Sequence, residues 1–126
     1  MNDVSMRDWQ RRTTQFFAGK NFERSTPVGP VVVTPDSFDV GEGELVTTVN
    51  GEVRQAGRTA DLMLGPAALI ADISRFTTLR PGDLIATGTP AGVGAGFDPP
   101  RFLGDGDVVE VAVPGIGSLV TRFVAR

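Results

Sequence analysis

Glu44-Leu45-Val46-Thr47-Thr48-Val49-Asn50-Gly51-Glu52-Val53-Arg54-Gln55-Ala56 decides the fold class. Glu44–Val49, rich in β-branched residues, and Glu52–Ala56 flank Asn50-Gly51, a dipeptide that supplies the two positive-φ positions of a type I′ turn. The stretch predicts a β-hairpin. A second hairpin is predicted at the far end of the chain. There Asp107–Val113 and Ser118–Val124 largely alternate apolar with polar residues and meet around Gly115-Ile116-Gly117. Sixteen glycines and nine prolines demand frequent turns, so the expected architecture is β-rich with few helices.

Between the hairpins, Leu69, Ile70, Ile73 and Phe76 are spaced for one helical face, and Pro66 suits a first turn. This helix is expected to pack on the core. Pro81-Gly82-Asp83 reads as a turn. Leu84-Ile85-Ala86-Thr87 reads as a buried strand that delivers Gly88-Thr89-Pro90 at its end. Upstream, Val31–Thr34 reads as a short strand stopped by Pro35. Gly92-Val93-Gly94-Ala95-Gly96 invites a phosphate-loop reading, but Phe97-Asp98-Pro99-Pro100 follows it. A dinucleotide fingerprint needs a helix start there, facing the pyrophosphate, so the reading is rejected.

The first 24 residues concentrate the polar chemistry. A helix is expected over residues 5–17, with Ser5 as its cap and Asp8 three residues later. Asp3 precedes the cap, where its carboxylate is free to point away from the helix. Arg7 and Gln10 are three apart and so share a face. Gly19 permits a turn that aims Lys20 back at the same space. A carboxylate among several donors is what a site needs to hold a metal and an anionic, oxygenated ligand. Each residue also has a plain structural reading: Asp8 as a cap, Arg7 and Lys20 as solvated surface, Thr89 as a strand-end turn. For Asp8 the structural reading is preferred.

Composition narrows the classes. A chain of 126 residues makes one domain, residues 1–126, with a modest core. A net charge of −3 argues against nucleic-acid binding. Without cysteine there is no disulfide framework, thiolate metal site or cysteine nucleophile. No apolar run reaches membrane-spanning length and the N-terminus is not signal-like, so no membrane partner and a cytoplasmic protein are the expectation. The absence of histidine removes the commonest general base at neutral pH.

Several segments together closely resemble the fumarylacetoacetate hydrolase family. They are Asn2-Asp3-Val4-Ser5-Met6-Arg7-Asp8-Trp9-Gln10, Gly19-Lys20-Asn21-Phe22, Pro27-Val28-Gly29-Pro30, Val49–Gln55, Leu79–Asp83 and Thr87-Gly88-Thr89-Pro90-Ala91-Gly92-Val93-Gly94. They occur in the family's order and cover essentially the whole chain. The resemblance implies a β-rich α+β fold, the mixed β-sandwich roll of that family, incomplete at its N-terminus. It implies part of a magnesium-dependent enzyme (Mn²⁺ or Ca²⁺ being substitutes) acting on acylpyruvate-like keto acids, as in aromatic-compound catabolism. The reaction is hydrolysis of a carbon–carbon bond, with isomerisation and decarboxylation as family variants. A homodimer, or pairing with a missing N-terminal half, is the implied assembly. The alternative is a non-catalytic remnant or binding subunit that pairs with another chain.

Carried over residue by residue, the resemblance makes Asp3 a metal ligand and Lys20 the catalytic cation beside the developing oxyanion. Arg7, Gln10 and Thr89 become substrate-binding residues. Met6 stands where the family commonly has a small residue before the arginine. Glu23 replaces a frequent aspartate, and Arg24 a small hydroxyl residue. These departures bear on substrate range. The family's Glu-x-Glu pair and water-activating histidine lie upstream of the Asn-Asp motif and are not in this sequence.

Overall fold

A computed structural model describes residues 1–124. Its organising turn is Asn50-Gly51, with φ of 51° and 82°, which joins β1 (Glu44–Val49) to β2 (Glu52–Arg58) as an antiparallel pair. The second hairpin also forms, as β3 (Val108–Val113) and β4 (Gly117–Arg122). The two hairpins join through β1 and β3 into one four-stranded antiparallel sheet of order β2-β1-β3-β4. The chain therefore has the expected β-rich fold with few helices.

Asn50 is the residue that docks one hairpin on the other. Its backbone N–H donates to the Val108 carbonyl at 2.8 Å, and its side-chain Oδ1 accepts from the Val108 N–H at 2.9 Å. Its Nδ2 donates to Asp107 Oδ1 at 2.8 Å. The Gly104 backbone N–H and then the Asn50 amide hold the Asp107 carboxyl below the usual carboxylate range. A side chain chosen for a left-handed turn thus also fixes the register of a pairing more than fifty residues away in sequence.

The core is small. Val109 is 2% exposed and Val111 8%, and among the described residues they are the only buried apolar side chains. Both lie on central strand β3. Val109 faces Val49 and Thr121, and Val111 faces Thr47 and Leu119. The total accessible surface is 9160 Å². A compact monomer of this mass exposes about 6,500 Å², so about 2,700 Å² more is left in the open than such a monomer would leave.

Much of that surface is apolar, and it belongs to segments expected to be buried. The helix α3 (Pro66–Ile73) begins at Pro66 as predicted, but none of its residues is buried, and Phe76 beyond it is 77% exposed. It does not pack on the sheet core. The spacing of Leu69, Ile70, Ile73 and Phe76 specifies an apolar face but not the surface that covers it. Leu84–Thr87 is not a buried strand: it joins no ladder, and Leu84 is 66% exposed. Val31–Thr34 also joins no ladder, and Val31 and Val32 are exposed. Both runs have strand propensity, yet a strand exists only where a partner edge meets it.

The helix expected over residues 5–17 is two short ones, α1 (Arg7–Gln10) and α2 (Phe17–Lys20). The interruption is chemical: Thr13 Oγ1 donates to the Gln15 carbonyl at 2.6 Å, a local bond that competes with continued helix. Ser5 does not cap α1. The N-cap is Met6, and Ser5 Oγ donates to the Asp3 carbonyl instead, at 3.4 Å. Asp8 lies in the first turn of α1, where a carboxylate suits the helix dipole, and faces Arg12 at 4.0 Å.

Candidate active site

Helices α1 and α2 are tied at one point. The Met6 N–H donates to the Gly19 carbonyl at 2.9 Å, and Gly19 sits directly on Gln10. A Cβ added at Gly19 would lie 2.6 Å from Gln10 Cβ and 2.7 Å from Gln10 Cα. Only glycine permits this approach, so close packing, rather than a left-handed turn, is what places Lys20. Gly19→Ala is expected to lower unfolding stability by about 1–3 kcal/mol, the scale of overpacking against a backbone that cannot yield. Denaturant unfolding measures it, and an unchanged midpoint would show that α2 shifts freely.

Four of the five sequence-predicted residues meet at this junction. Lys20 Nζ donates to Asp3 Oδ2 as an ion pair. Arg7 Nη1 donates to Gln10 Oε1 at 2.7 Å. Gln10 is 7% exposed and Arg7 half-buried. Because Arg7 occupies the Gln10 oxygen, the Gln10 Nε2 end is left to donate to a ligand. Two cations and one carboxylate leave the cluster one positive charge in excess, which favours an anionic guest.

Thr89 stands elsewhere, on the loop of residues 88–92 against β2. Its hydroxyl oxygen accepts from Gln55 Nε2 at 2.9 Å, and the same nitrogen donates to the Pro90 carbonyl at 2.9 Å. Among the described residues no hydrogen bond or ion pair links Thr89 to the other four. Gln55 lies in the hairpin that set the fold, and nothing in its sequence position separates it from an ordinary strand residue; only its contact with Thr89 does.

A metal would find an oxygen donor of the right kind in Asp3, since carboxylates suit hard divalent cations. The number of donors falls short. Among the described residues no three His, Cys, Asp or Glu side chains gather as a metal site. An apolar cleft of about 430 Å³ opens beside α1 and α2, lined by Trp9, Phe17, Ala18, Asn21, Phe22 and Glu23. None of Asp3, Arg7, Gln10, Lys20 or Thr89 lines it. Its wall is built by Trp9 and Phe22 in edge-to-face contact, ring centroids 5.4 Å apart, with Arg12 on the Trp9 ring.

No helix among the described residues is long and apolar enough to cross a membrane. Residues 1–124 match the family model described as fumarylacetoacetate (FAA) hydrolase C-terminal. An uncharacterized protein of Staphylococcus aureus (strain USA300) is 46% identical over 127 residues, which are 100% of this chain and 42% of the relative. The solved structure of a fumarylacetoacetate hydrolase from psychrophilic Exiguobacterium antarcticum superposes with a TM-score of 0.94 at 48% identity, covering 99% of this chain and 45% of the other. A 2-hydroxyhepta-2,4-diene-1,7-dioate isomerase from Mycobacterium marinum gives 0.86 at 44% identity, over 98% and 45%. The chain thus spans less than half the length of each of these proteins.

Proposed function

The chain belongs to the fumarylacetoacetate hydrolase family, and from that premise we propose that it is part of a magnesium-dependent enzyme that hydrolyses a carbon–carbon bond in acylpyruvate-like keto acids. Similar proteins bear the names of hydrolases and isomerases, and the family generally works with a divalent metal. The observation that carries the reading is the junction of the Asp3–Lys20 ion pair with the Arg7–Gln10 hydrogen bond.

In such a reaction, water adds to the acyl carbonyl, the carbon–carbon bond breaks, and its electron pair passes to the keto-acid half as an enolate. Each of the five residues has work it can do there. Lys20 Nζ sets a positive charge beside the oxygen where that electron pair accumulates. Gln10 Nε2 donates to a substrate oxygen, and Arg7 both fixes the Gln10 amide and faces the substrate carboxylate. From its separate loop, Thr89 would donate a hydrogen bond from its hydroxyl to a substrate carboxylate. Asp3 is the one carboxylate of the cluster that would hold the cation; the remaining oxygens would come from water, the keto acid and carboxylates outside these residues. When bound, the cation supplies Lewis-acid polarisation of the keto oxygen.

The pairing partner belongs to the same proposal. The excess of about 2,700 Å² of open surface lies at or above what one side of an obligate interface buries. We therefore propose that a second copy or another polypeptide segment covers α3 and residues 31–34 and 84–87, in a cytoplasmic assembly. The experiment is to assay the purified protein on an acylpyruvate with millimolar-range magnesium, while light scattering reports its mass. Pyruvate release by an assembly larger than one chain supports both statements. Double-bond migration without cleavage would assign an isomerase instead, and carbon dioxide release a decarboxylase. Keto-acid binding without any turnover would leave the binding-subunit reading.

A further inference from the structure

We propose that Gln55 is a positioning residue that turns the Thr89 hydroxyl into a dedicated hydrogen-bond donor for the substrate carboxylate. The inference rests on the reading of Thr89 given above. Both amide protons of Gln55 are accounted for: Nε2 is 2.9 Å from Thr89 Oγ1 and 2.9 Å from the Pro90 carbonyl. A hydroxyl that accepts at its oxygen keeps its proton for another acceptor. Thr89 is therefore left as a donor, the polarity a carboxylate requires.

The backbone around this contact is shaped to hold it. The β1–β2 register shifts between Thr47 and Thr48, so that Thr47 pairs Gln55 while Thr48 pairs Val53. Arg54 is left over as a bulge. Bulges re-aim the neighbouring side chain and take a residue out of the ladder. The loop seats against that irregularity. A Cβ at Gly92 would lie 1.8 Å from the Arg54 carbonyl oxygen, and one at Gly57 would lie 2.8 Å from Pro90 Cβ. Gly92, with φ +100°, and Gly57 allow the loop and β2 to meet this closely. The result is a loop clamped to β2 through Pro90 and Gly92, with Thr89 held beside them by Gln55.

The test compares pyruvate affinity, by calorimetry with saturating magnesium, on the protein as its own cells make it. Thr89→Ala should weaken binding about tenfold and Thr89→Ser should restore it, the usual scale for one hydrogen bond to a charged group. Gln55→Leu should weaken it several-fold. Gln55→Glu should weaken it at least as much as Thr89→Ala, because a carboxylate at that position takes the Thr89 proton for itself. The double variant Gln55→Glu, Thr89→Ala should be no weaker than Thr89→Ala alone. A thermal melt on each variant separates affinity from folding, and a merely structural glutamine would lower the melting point without this polarity order. If Thr89→Ala weakens binding and Gln55→Glu does not, or if the two losses multiply, Gln55 is not the positioning residue while the Thr89 reading stands. If Thr89→Ala changes nothing, or the unsubstituted protein binds no pyruvate, both fall together.

Discussion

Asp3→Ala is expected to abolish magnesium-dependent turnover while the fold survives. The loss should exceed about a hundredfold, because even outer-shell partners of metal ligands cost 10–100-fold when removed. The fold should persist because the Asp3 side chain is 39% exposed and its partner Lys20 30% exposed, and exposed ion pairs contribute about 0–1 kcal/mol. Two roles compete for this carboxylate: anchoring Lys20 and holding the cation. Asp3→Asn separates them, since it leaves Lys20 an oxygen to donate to but removes the charge a hard cation needs. An anchor alone would tolerate the amide; a ligand would not. Magnesium titration of both variants is the direct measurement, and near-normal activity of Asp3→Ala at limiting magnesium would refute the assignment.

The geometry around Asp3 was partly legible in the sequence. The three-residue spacing of Arg7 and Gln10 put them on one face, and one turn of helix sufficed to bring them to 2.7 Å. The return of Lys20 was legible through Gly19, although the reason differs: the glycine is needed because its backbone presses on Gln10. Such contacts are invisible in a linear reading, because the sequence shows that a residue is small and not what it touches. The same holds for Gln55, whose partners Thr89 and Pro90 are more than thirty residues away. The cap was misread for a related reason. Ser5 has the right chemistry, but its hydroxyl met the Asp3 carbonyl first.

The hairpins were legible because their information is local: Asn50-Gly51 and Gly115-Ile116-Gly117 state their turns within a few residues. The β1–β3 pairing was not, since it depends on Asn50 reaching Asp107 and Val108. Residues 31–34 and 84–87 and helix α3 were misplaced for a third reason. Their apolar character favours burial, yet the described residues leave them largely exposed. Apolar periodicity reports a demand for cover and is silent about its source. A core of two valines beside such exposed segments is what the proposed pairing partner would have to cover.

Lys20→Met is expected to lower kcat about a hundredfold, the scale for losing one preorganised charge at a developing oxyanion. Methionine keeps the length and flexibility of the lysine stem, so packing between α1 and α2 should hold, and Gly19 should still rest on Gln10. What disappears is the ammonium that donates to Asp3. Two outcomes are distinguishable by kinetics. If the charge acts where the enolate forms, kcat and kcat/KM fall together, because the stabilisation exists only in the transition state. If the charge merely holds the ground-state carboxylate, KM rises and kcat stays. A third outcome follows from the ion pair itself: freed of Lys20, Asp3 would hold the cation better, and magnesium affinity would rise while turnover improved. The excess positive charge of the cluster argues against that outcome. Arg7 and Lys20 are the two cations set against the one carboxylate of Asp3, and removing Lys20 cancels the excess charge that draws an anionic keto acid in. Steady-state kinetics with magnesium held saturating decides among the three, and a variant that turns over as fast as the parent would remove Lys20 from the catalytic assignment.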